Sequence, residues 1–153
     1  MARRDHFEGA DCPVARALGA VGEWWSLLIV RDAFDGVRRF SDFQQSLGVS
    51  KGILTTRLRR LVALGILEPA PASDGTAYQE YALTEKGRGL FPVVVGLRQW
   101  GEDHCFKPGE PRSVLVDART GQPVGRLNVQ SSTGEVLTAA ETIVKKAVRK
   151  RAT

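Results

Sequence analysis

The sequence predicts an α+β protein in which a pair of short helices is followed by a β-hairpin and then by a further helix. Two observations predict this order. Apolar residues recur at helical spacing through residues 13–64, whereas residues 66–83 contain two short runs typical of strands. With 153 residues, the chain is long enough to bury a hydrophobic core of its own.

Two helices are predicted before the short pair. The sequence "CPVARALGAVG" predicts a helix that starts near Pro13, because proline is favoured in the first turn of a helix. The sequence "WWSLLIVRDAF" predicts a second, largely buried helix, which ends at "DGVRRF".

The short pair begins in "RRFSDFQQSL", where Ser41 followed by Gln44 has the form of a capping box. Gly48 supplies a flexible residue for a tight turn, and Ser50 is placed to cap a second helix from about residue 51. This pattern indicates a helix-turn-helix, whose second helix enters the major groove of DNA. An ordinary helical hairpin with a solvated, charged face is the alternative.

The second helix of this pair has two different faces. Leu54, Leu58 and Leu61 fall on one side of a helical wheel, which predicts the core side, and Ile53 lies near its edge. The opposite side carries small, hydroxyl-bearing and basic residues: Gly52, Thr56, Arg59 and Arg60. Thr55 lies at the border of this side, and Lys51 lies in the first turn of the helix.

Basic residues are concentrated around this helix. Residues 38–60 contain six Arg or Lys and one Asp, whereas the whole chain has a net charge of +5. A second basic block stands near the end of the chain: Lys145, Lys146, Arg149, Lys150 and Arg151. Clustered arginine and lysine on one helical face indicates a polyanionic partner.

A β-hairpin follows the basic helix directly. Ile66 to Glu68 and Tyr78 to Leu83 are the predicted strands, joined by a loop that contains Pro, Ala and the turn sequence "SDG". A hairpin in this position is a wing, so the predicted fold is a winged helix-turn-helix.

A long helix is predicted after the wing, over residues 85–104. Thr84 is placed to cap it, and Pro92 is expected to kink it or weaken one turn. Its apolar surface, which includes Leu97 and Trp100, favours a dimer interface over simple packing on the chain's own domain.

Composition argues against several classes of protein. Two cysteines are too few for a disulfide framework, and no run of about 18 apolar residues predicts a membrane span. The first residues lack the apolar centre of a signal peptide, so we expect a cytoplasmic protein. Neither a phosphate-binding loop nor a carboxylate pair with a helper is found, and we expect no enzymatic activity and no cofactor.

Residues 12–104 resemble the HxlR-type family of winged helix-turn-helix transcriptional regulators, within the MarR-like superfamily. The matching blocks are "CPVARAL", "VGEWWSLLIVRDAFDGVRRFSDFQ", "LTTRLRRLVALGIL" and "YALTEKGRGLFPVVVGLRQWGEDH". The resemblance implies a bacterial homodimer that binds double-stranded operator DNA at an inverted repeat. It also implies dimerisation through the first and last family helices, which here carry Val14, Leu18, Leu97 and Trp100. A winged helix that serves as a protein interaction module is the alternative.

The resemblance also implies roles for individual residues. Arg38 and Arg39 match a basic pair expected at phosphates. Base edges are expected at the start of the recognition helix: Ser50, Lys51, Gly52, Thr55 and Thr56. The helical wheel adds Arg59 and Arg60 to the DNA-binding face, whereas Arg57 lies nearer the core. Relatives usually carry an arginine at the end of the wing, but Tyr78 stands there and can offer at most a phosphate hydrogen bond.

Cys12 matches an N-terminal cysteine through which some relatives sense oxidants or electrophiles. A thiolate at the start of a helix is stabilised by the positive end of the helix dipole, and Arg16 stands nearby. The alternative is that Cys12 is a small apolar residue that packs the N-terminal turn. The protein would then respond to a small-molecule effector or to none.

The segment after residue 106 has a different composition, so we predict two domains, residues 1–106 and 107–153. The second reads as a β-hairpin with a basic helical tail. Relatives with a cysteine-bearing extension have cysteines where this chain has Thr120, Gln130 and Thr133. Hydroxyl and amide groups do not replace the thiolates that zinc requires, so we expect a metal-free extension.

Overall fold

The computed structural model describes residues 5–148, with side chains from residue 7 onward. The chain divides into two compact units, Met1–Phe91 and Pro92–Thr153. The boundary between the two units lies between Phe91 and Pro92, at the start of a helix. The predicted domain boundary after residue 106 stays a prediction.

In the described part of the first unit, five helices precede the wing. The helix that starts at Pro13 and the buried helix after it are confirmed, and a short helix before them was not predicted. Their bounds are α1 Asp5–Glu8, α2 Pro13–Val21, α3 Trp24–Phe34, α4 Phe40–Leu47 and α5 Lys51–Ala63.

The turn between α4 and α5 has the predicted form. Gly48 ends α4 with a left-handed backbone, φ +60°, which glycine adopts at little cost. The Ser50 hydroxyl then caps α5 by accepting a hydrogen bond from the Ile53 amide at 3.3 Å.

The predicted capping box at Ser41 is wrong. Helix α4 already begins at Phe40, and its N-cap residue, Arg39, makes no side-chain cap. Arg39 forms a β-bridge with Glu80, and the Tyr81 amide donates to the Arg38 carbonyl at 2.8 Å. The chain therefore enters α4 directly from an extended pairing, one residue before the serine.

The core of the first unit contains the predicted face of α5. Leu54, Leu58 and Leu61 are buried together with residues of α3, of α4 and of the segment where the wing begins: Ile29, Val30, Phe43, Ile66 and Leu67. Ile53, at the edge of the predicted core face, is 43% exposed. It therefore belongs to the outer face.

The wing is an antiparallel hairpin of β1 Leu67–Pro71 and β2 Gln79–Leu83. Its first strand starts one residue later and ends three residues later than the sequence predicts. Leu67 pairs with Leu83 at the base, and Pro71 with Gln79 at the far end. Two prolines fit in β1 because the sheet has two strands and β1 has a free edge.

The predicted long helix after the wing is two helices, α6 Glu85–Arg88 and α7 Phe91–His104. Thr84 caps the first, since its Oγ1 accepts from the Gly87 amide at 3.0 Å. Pro92 is expected to kink the helix or weaken one turn; the structure shows no kink in a continuous helix but an interruption directly before the proline, since α6 ends at Arg88 and α7 begins at Phe91. Pro92 lies in the first turn of α7, where a missing N–H leaves no bond unmade.

Gly87 lies against the chain that enters the wing. A Cβ at this position would be 2.2 Å from the Ile66 carbonyl oxygen and 3.0 Å from Leu83 Cδ2. Only glycine lets α6 approach the base of the hairpin this closely.

The second unit consists of α7 and the extension after it. Two turns in the extension are each closed by one bridge pair, Val116 with Pro123 and Gln130 with Val136. The buried Gln99 side chain holds the extension to α7: its Nε2 donates to the Gly125 carbonyl at 3.0 Å, and the Leu127 amide donates to its Oε1 at 2.7 Å.

The predicted basic helix is wrong for residues 142–148, which contain no helix. A 3-10 turn, Ala139–Glu141, precedes them. Ile143, Val144 and Val148 are 86–92% exposed, so no packed surface stabilises a helix there. Arg149, Lys150 and Arg151 lie outside the described residues.

Candidate nucleic-acid interface

The outer face of α5 presents small, apolar and basic residues to solvent. Its exposed members are Lys51, Gly52, Ile53, Thr56 and Arg59. Among residues 7–148, whose side chains the structure describes, no carboxylate lies within ion-pair distance of Lys51 or Arg59. No described carboxylate therefore compensates these two positive charges.

The two threonine hydroxyls of α5 are bonded within the helix. Thr55 Oγ1 donates to the Lys51 carbonyl at 2.8 Å, and Thr56 Oγ1 donates to the Gly52 carbonyl at 3.0 Å. A hydroxyl that has given its proton to the backbone can only accept a further hydrogen bond. Thr56 is exposed, whereas Thr55 is half-buried.

The other arginines of α5 face carboxylates. Arg57 Nε lies 3.1 Å from Glu23 Oε2, and both side chains are about four-fifths buried. Glu23 also caps α3 by accepting from the Ser26 amide. Arg60 Nη2 lies 3.8 Å from Glu8 Oε1, a longer and more exposed pair. The structure thus divides the basic charge of α5 into internal pairs and an outward-facing remainder.

Glu80 of the wing joins the basic pair before α4 to the hairpin. Its carboxylate is buried and accepts from Arg38 Nε at 2.5 Å, while Arg39 Nε lies 3.7 Å away. The Ser73 amide and hydroxyl donate to the same carboxylate at 3.1 and 3.0 Å. The hydrogen bond from Arg38 lowers the pKa of Glu80 below its ordinary value. Glu80 therefore stays charged while it fixes the wing to the start of α4.

Asp74, at the tip of the wing, makes a second connection. It accepts a hydrogen bond from Arg39 and two from Thr76, at 2.7 and 3.0 Å. The bonds from Thr76, with help from Arg39, lower the pKa of Asp74 to about 2. The same contact with Asp74 raises the pKa of Arg39.

Tyr78 lies beside this cluster. Its ring centroid is 5.6 Å from the Arg39 guanidinium carbon, and its side chain is 69% exposed. The structure thus brings Tyr78 and Arg39 together, within reach of cation–π attraction.

The carboxylates of this cluster were missed from the sequence. Asp74 reads as an ordinary turn residue, and Glu80 as the polar position of an alternating strand. The ion pair of Glu80 with Arg38 joins residues 42 positions apart, so no local pattern signals it.

The residues expected at a dimer interface are exposed. Val14 and Leu18 on α2 are 66% and 56% exposed. On α7, Leu97 and Trp100 are 53% and 61% exposed, and the Trp100 ring lies against His104.

Cys12 is an exposed free thiol at the N-cap of α2. Arg16, expected to support it, instead donates from its Nε to the Ala10 carbonyl at 2.5 Å. Cys105, in the second unit, is also free and exposed.

Two of the residues that stand where some relatives have cysteines, Thr120 and Thr133, make hydrogen bonds within the turns of the extension. Thr120 Oγ1 accepts from the Gln122 amide at 3.3 Å, and the Thr133 and Ser131 hydroxyls bond at 3.0 Å. Among the described residues, no three His, Cys, Asp or Glu side chains are grouped to hold a metal ion. None of the helices described in residues 5–148 has the length and apolar character needed to cross a membrane.

Comparison with known proteins gives matches over most of the chain. Residues 20–108 match the family described as HxlR-like helix-turn-helix. The HTH-type transcriptional regulator MT3179 of Mycobacterium tuberculosis is 42% identical over 133 residues, 87% of this chain and 83% of that protein.

Solved structures agree. The crystal structure of PA1607, a candidate transcription factor, superposes with a TM-score of 0.87 at 51% identity, over 93% of this chain and 99% of PA1607. The redox regulator HypR in its oxidized form superposes with a TM-score of 0.55 at 34% identity, over 61% of this chain and 97% of HypR. The PA1607 match therefore includes the extension.

The family match covers more than half of the chain, and a regulator aligns with 87% of it. The chain belongs to the HxlR-like helix-turn-helix family and is a transcriptional regulator.

Proposed function

We propose that the protein binds an inverted-repeat operator as a homodimer, with α5 of each subunit in the major groove. The observation that carries this proposal is the pair of exposed charges on the outer face of α5, Lys51 and Arg59, which no described carboxylate of residues 7–148 compensates. They flank the exposed Gly52 and Thr56. Phosphate contacts position a protein on DNA and base contacts give specificity, and this face offers groups for both.

Arg38 and Arg39 support the same proposal despite their ion pairs. Their side chains remain 43% and 31% exposed. A guanidinium group has five N–H donors, and Glu80 and Asp74 engage only some of them. The remaining donors are available to phosphate oxygens, and the exposed Tyr78 hydroxyl is available for the same role.

The homodimer rests on exposed apolar side chains of two helices, Val14 and Leu18 on α2 and Leu97 and Trp100 on α7. Apolar surface of this kind marks an interaction site when it is contiguous. A two-fold dimer would present its recognition helices about 34 Å apart, or a multiple of that distance, to match successive turns of DNA.

Cys12 is the proposed site of a response to oxidants or electrophiles. Its exposure at the N-cap of α2 makes the thiol accessible, and modification would change a helix of the proposed dimer interface. The similarity to HypR, named a redox regulator, supports this choice over a non-covalent ligand.

Selection of bound duplexes from a random DNA pool tests the proposal. We expect the purified protein to enrich an inverted repeat. A Lys51→Ala, Arg59→Ala double variant should enrich none, while circular dichroism shows that it is folded.

A pool that stays unenriched with the unaltered protein would contradict operator binding. A protein interaction module, in which the basic face of α5 meets an acidic partner, would then be the better assignment.

A further inference from the structure

An apolar side chain stands among the basic and hydroxyl residues on the outer face of α5. Ile53 is 43% exposed, although its neighbour Leu54 is fully buried. Thr56 lies three residues further along the helix, so the two side chains are neighbours on the helix surface. Their position in the first two turns is the part of a recognition helix that reaches base edges.

Gly52 leaves open space beside this pair. A Cβ at Gly52 would meet no atom within 4 Å, and the backbone there is not left-handed. Gly52 is the second residue of α5, and neither packing nor backbone geometry at this position requires glycine. What it provides is clearance for a surface that approaches α5 from outside.

Thr56 has a restricted chemistry at this position. Its hydroxyl proton is donated to the Gly52 carbonyl, so the side chain offers an acceptor oxygen and a methyl group. Together with Ile53 it forms a small apolar surface, the Ile53–Thr56 patch.

The charges around the patch select its occupant. Lys51 and Arg59, both exposed and uncompensated within the described residues, would attract the phosphates on either side of a groove. Thymine presents a methyl group in the major groove, next to its O4 acceptor, and threonine and other apolar groups contact that methyl.

We propose that the Ile53–Thr56 patch recognises thymine through its 5-methyl group, with Gly52 providing the clearance. The inference rests on the proposed function and specifies the base that α5 reads. Each half-site of the operator then contains at least one thymine that is required for its methyl group rather than for its hydrogen bonds.

The test replaces single thymines by deoxyuridine in the duplex selected from the random pool. This change removes only the methyl group and keeps base pairing and the O4 acceptor. We expect about fourfold weaker binding at one or two positions per half-site, which corresponds to the burial of one methyl group.

Two variants connect this loss to the patch. Ile53→Ala removes the apolar side chain, and Thr56→Ser removes the methyl group but keeps the hydroxyl. We expect the loss at a given thymine to disappear in the variant whose side chain contacts it. Both positions are exposed, and circular dichroism checks that the variants fold.

Three outcomes would overturn the inference while leaving operator binding intact. They are a selected half-site without thymine, deoxyuridine that is tolerated at every position, and a loss that persists unchanged in both variants. If no duplex is enriched, the proposed function itself fails.

Discussion

Arg59 and Arg57 stand two residues apart on α5, and replacing either by alanine removes the same charge. Arg59 is exposed and has no carboxylate partner among the described residues, whereas Arg57 is about four-fifths buried against Glu23. If the outer face of α5 contacts phosphates, only the loss of Arg59 removes a phosphate contact. The two substitutions should therefore differ in how DNA binding depends on salt.

The size of the difference follows from counterion release. Each phosphate contact contributes about −0.9 to the slope of log K against log salt concentration. Between about 50 and 200 mM salt, one contact is therefore worth roughly a 3.5-fold change in affinity. Because the proposed dimer carries two Arg59 side chains, Arg59→Ala removes two contacts, and the unaltered protein should lose roughly 12-fold more affinity over this range than the variant.

Arg57→Ala should keep the salt slope of the unaltered protein and lose stability instead. The Arg57 Nε lies 3.1 Å from the Glu23 carboxylate but is not aligned for a hydrogen bond. Removal of the arginine leaves the largely buried Glu23 carboxylate with its hydrogen bond from the Ser26 amide but without its counter-charge. We therefore expect the free energy of unfolding to fall by about 1–3 kcal/mol.

Fluorescence anisotropy with a labelled operator duplex at four or more salt concentrations measures both slopes, and urea unfolding measures stability. Equal reductions of the slope in the two variants would show that total charge matters rather than position. An unchanged slope in both would show that the outer face of α5 does not contact phosphates.

Four further predictions concern other parts of the chain. The Cβ of Gly87→Ala would lie 2.2 Å from a backbone oxygen, so this variant should lower the free energy of unfolding in urea by at least about 2 kcal/mol. Gly52→Ala has open space around its Cβ and should not lower it. Equal effects of the two substitutions would contradict this reasoning. Asp74 has its pKa lowered to about 2 from an ordinary 3.8, so its contribution to stability is complete above the ordinary value and is lost as the pH falls toward 2. Between about pH 5 and 2, the thermal midpoint should therefore fall less in Asp74→Asn than in the unaltered protein, and parallel curves would refute this. Diamide should release the operator from the unaltered protein but not from Cys12→Ser, and equal responses would exclude Cys12. Leu97→Glu should give a monomer in light scattering because it places a charge in the proposed interface, and an unchanged dimer would place that interface elsewhere.

The parts of the fold that the sequence predicts well are those with local signals. Helix α5 has a serine that caps its first turn and leucines that repeat at helical spacing, and both act within a few residues. The start of α2 is equally local, because a proline defines it. The outer face of α5 follows from the same periodicity.

The errors arise where distant segments decide the local structure. Ser41 has a good capping sequence, but the pairing of Arg38 and Arg39 with β2 makes Arg39 the N-cap and starts α4 two residues earlier than a cap at Ser41 would. The ion pairs of the wing depend on the register of the hairpin against residues 38 and 39. The basic tail has helical periodicity, but residues 142–148 have no surface to pack on, and periodicity alone does not stabilise so short a helix.

The side chain of Gln99 has a consequence for how this family changes in evolution. Its side-chain amide donates a hydrogen bond to the Gly125 carbonyl and accepts one from the Leu127 amide. These are bonds that a neighbouring strand would otherwise make to the backbone of the extension. In a protein without the extension, the Gln99 amide would lose both of its hydrogen-bond partners. The similarity to HypR covers 97% of HypR but only 61% of this chain, and in a relative that lacks the extension we expect no preference for glutamine at position 99. Residue 99 and the extension are therefore expected to be gained and lost together.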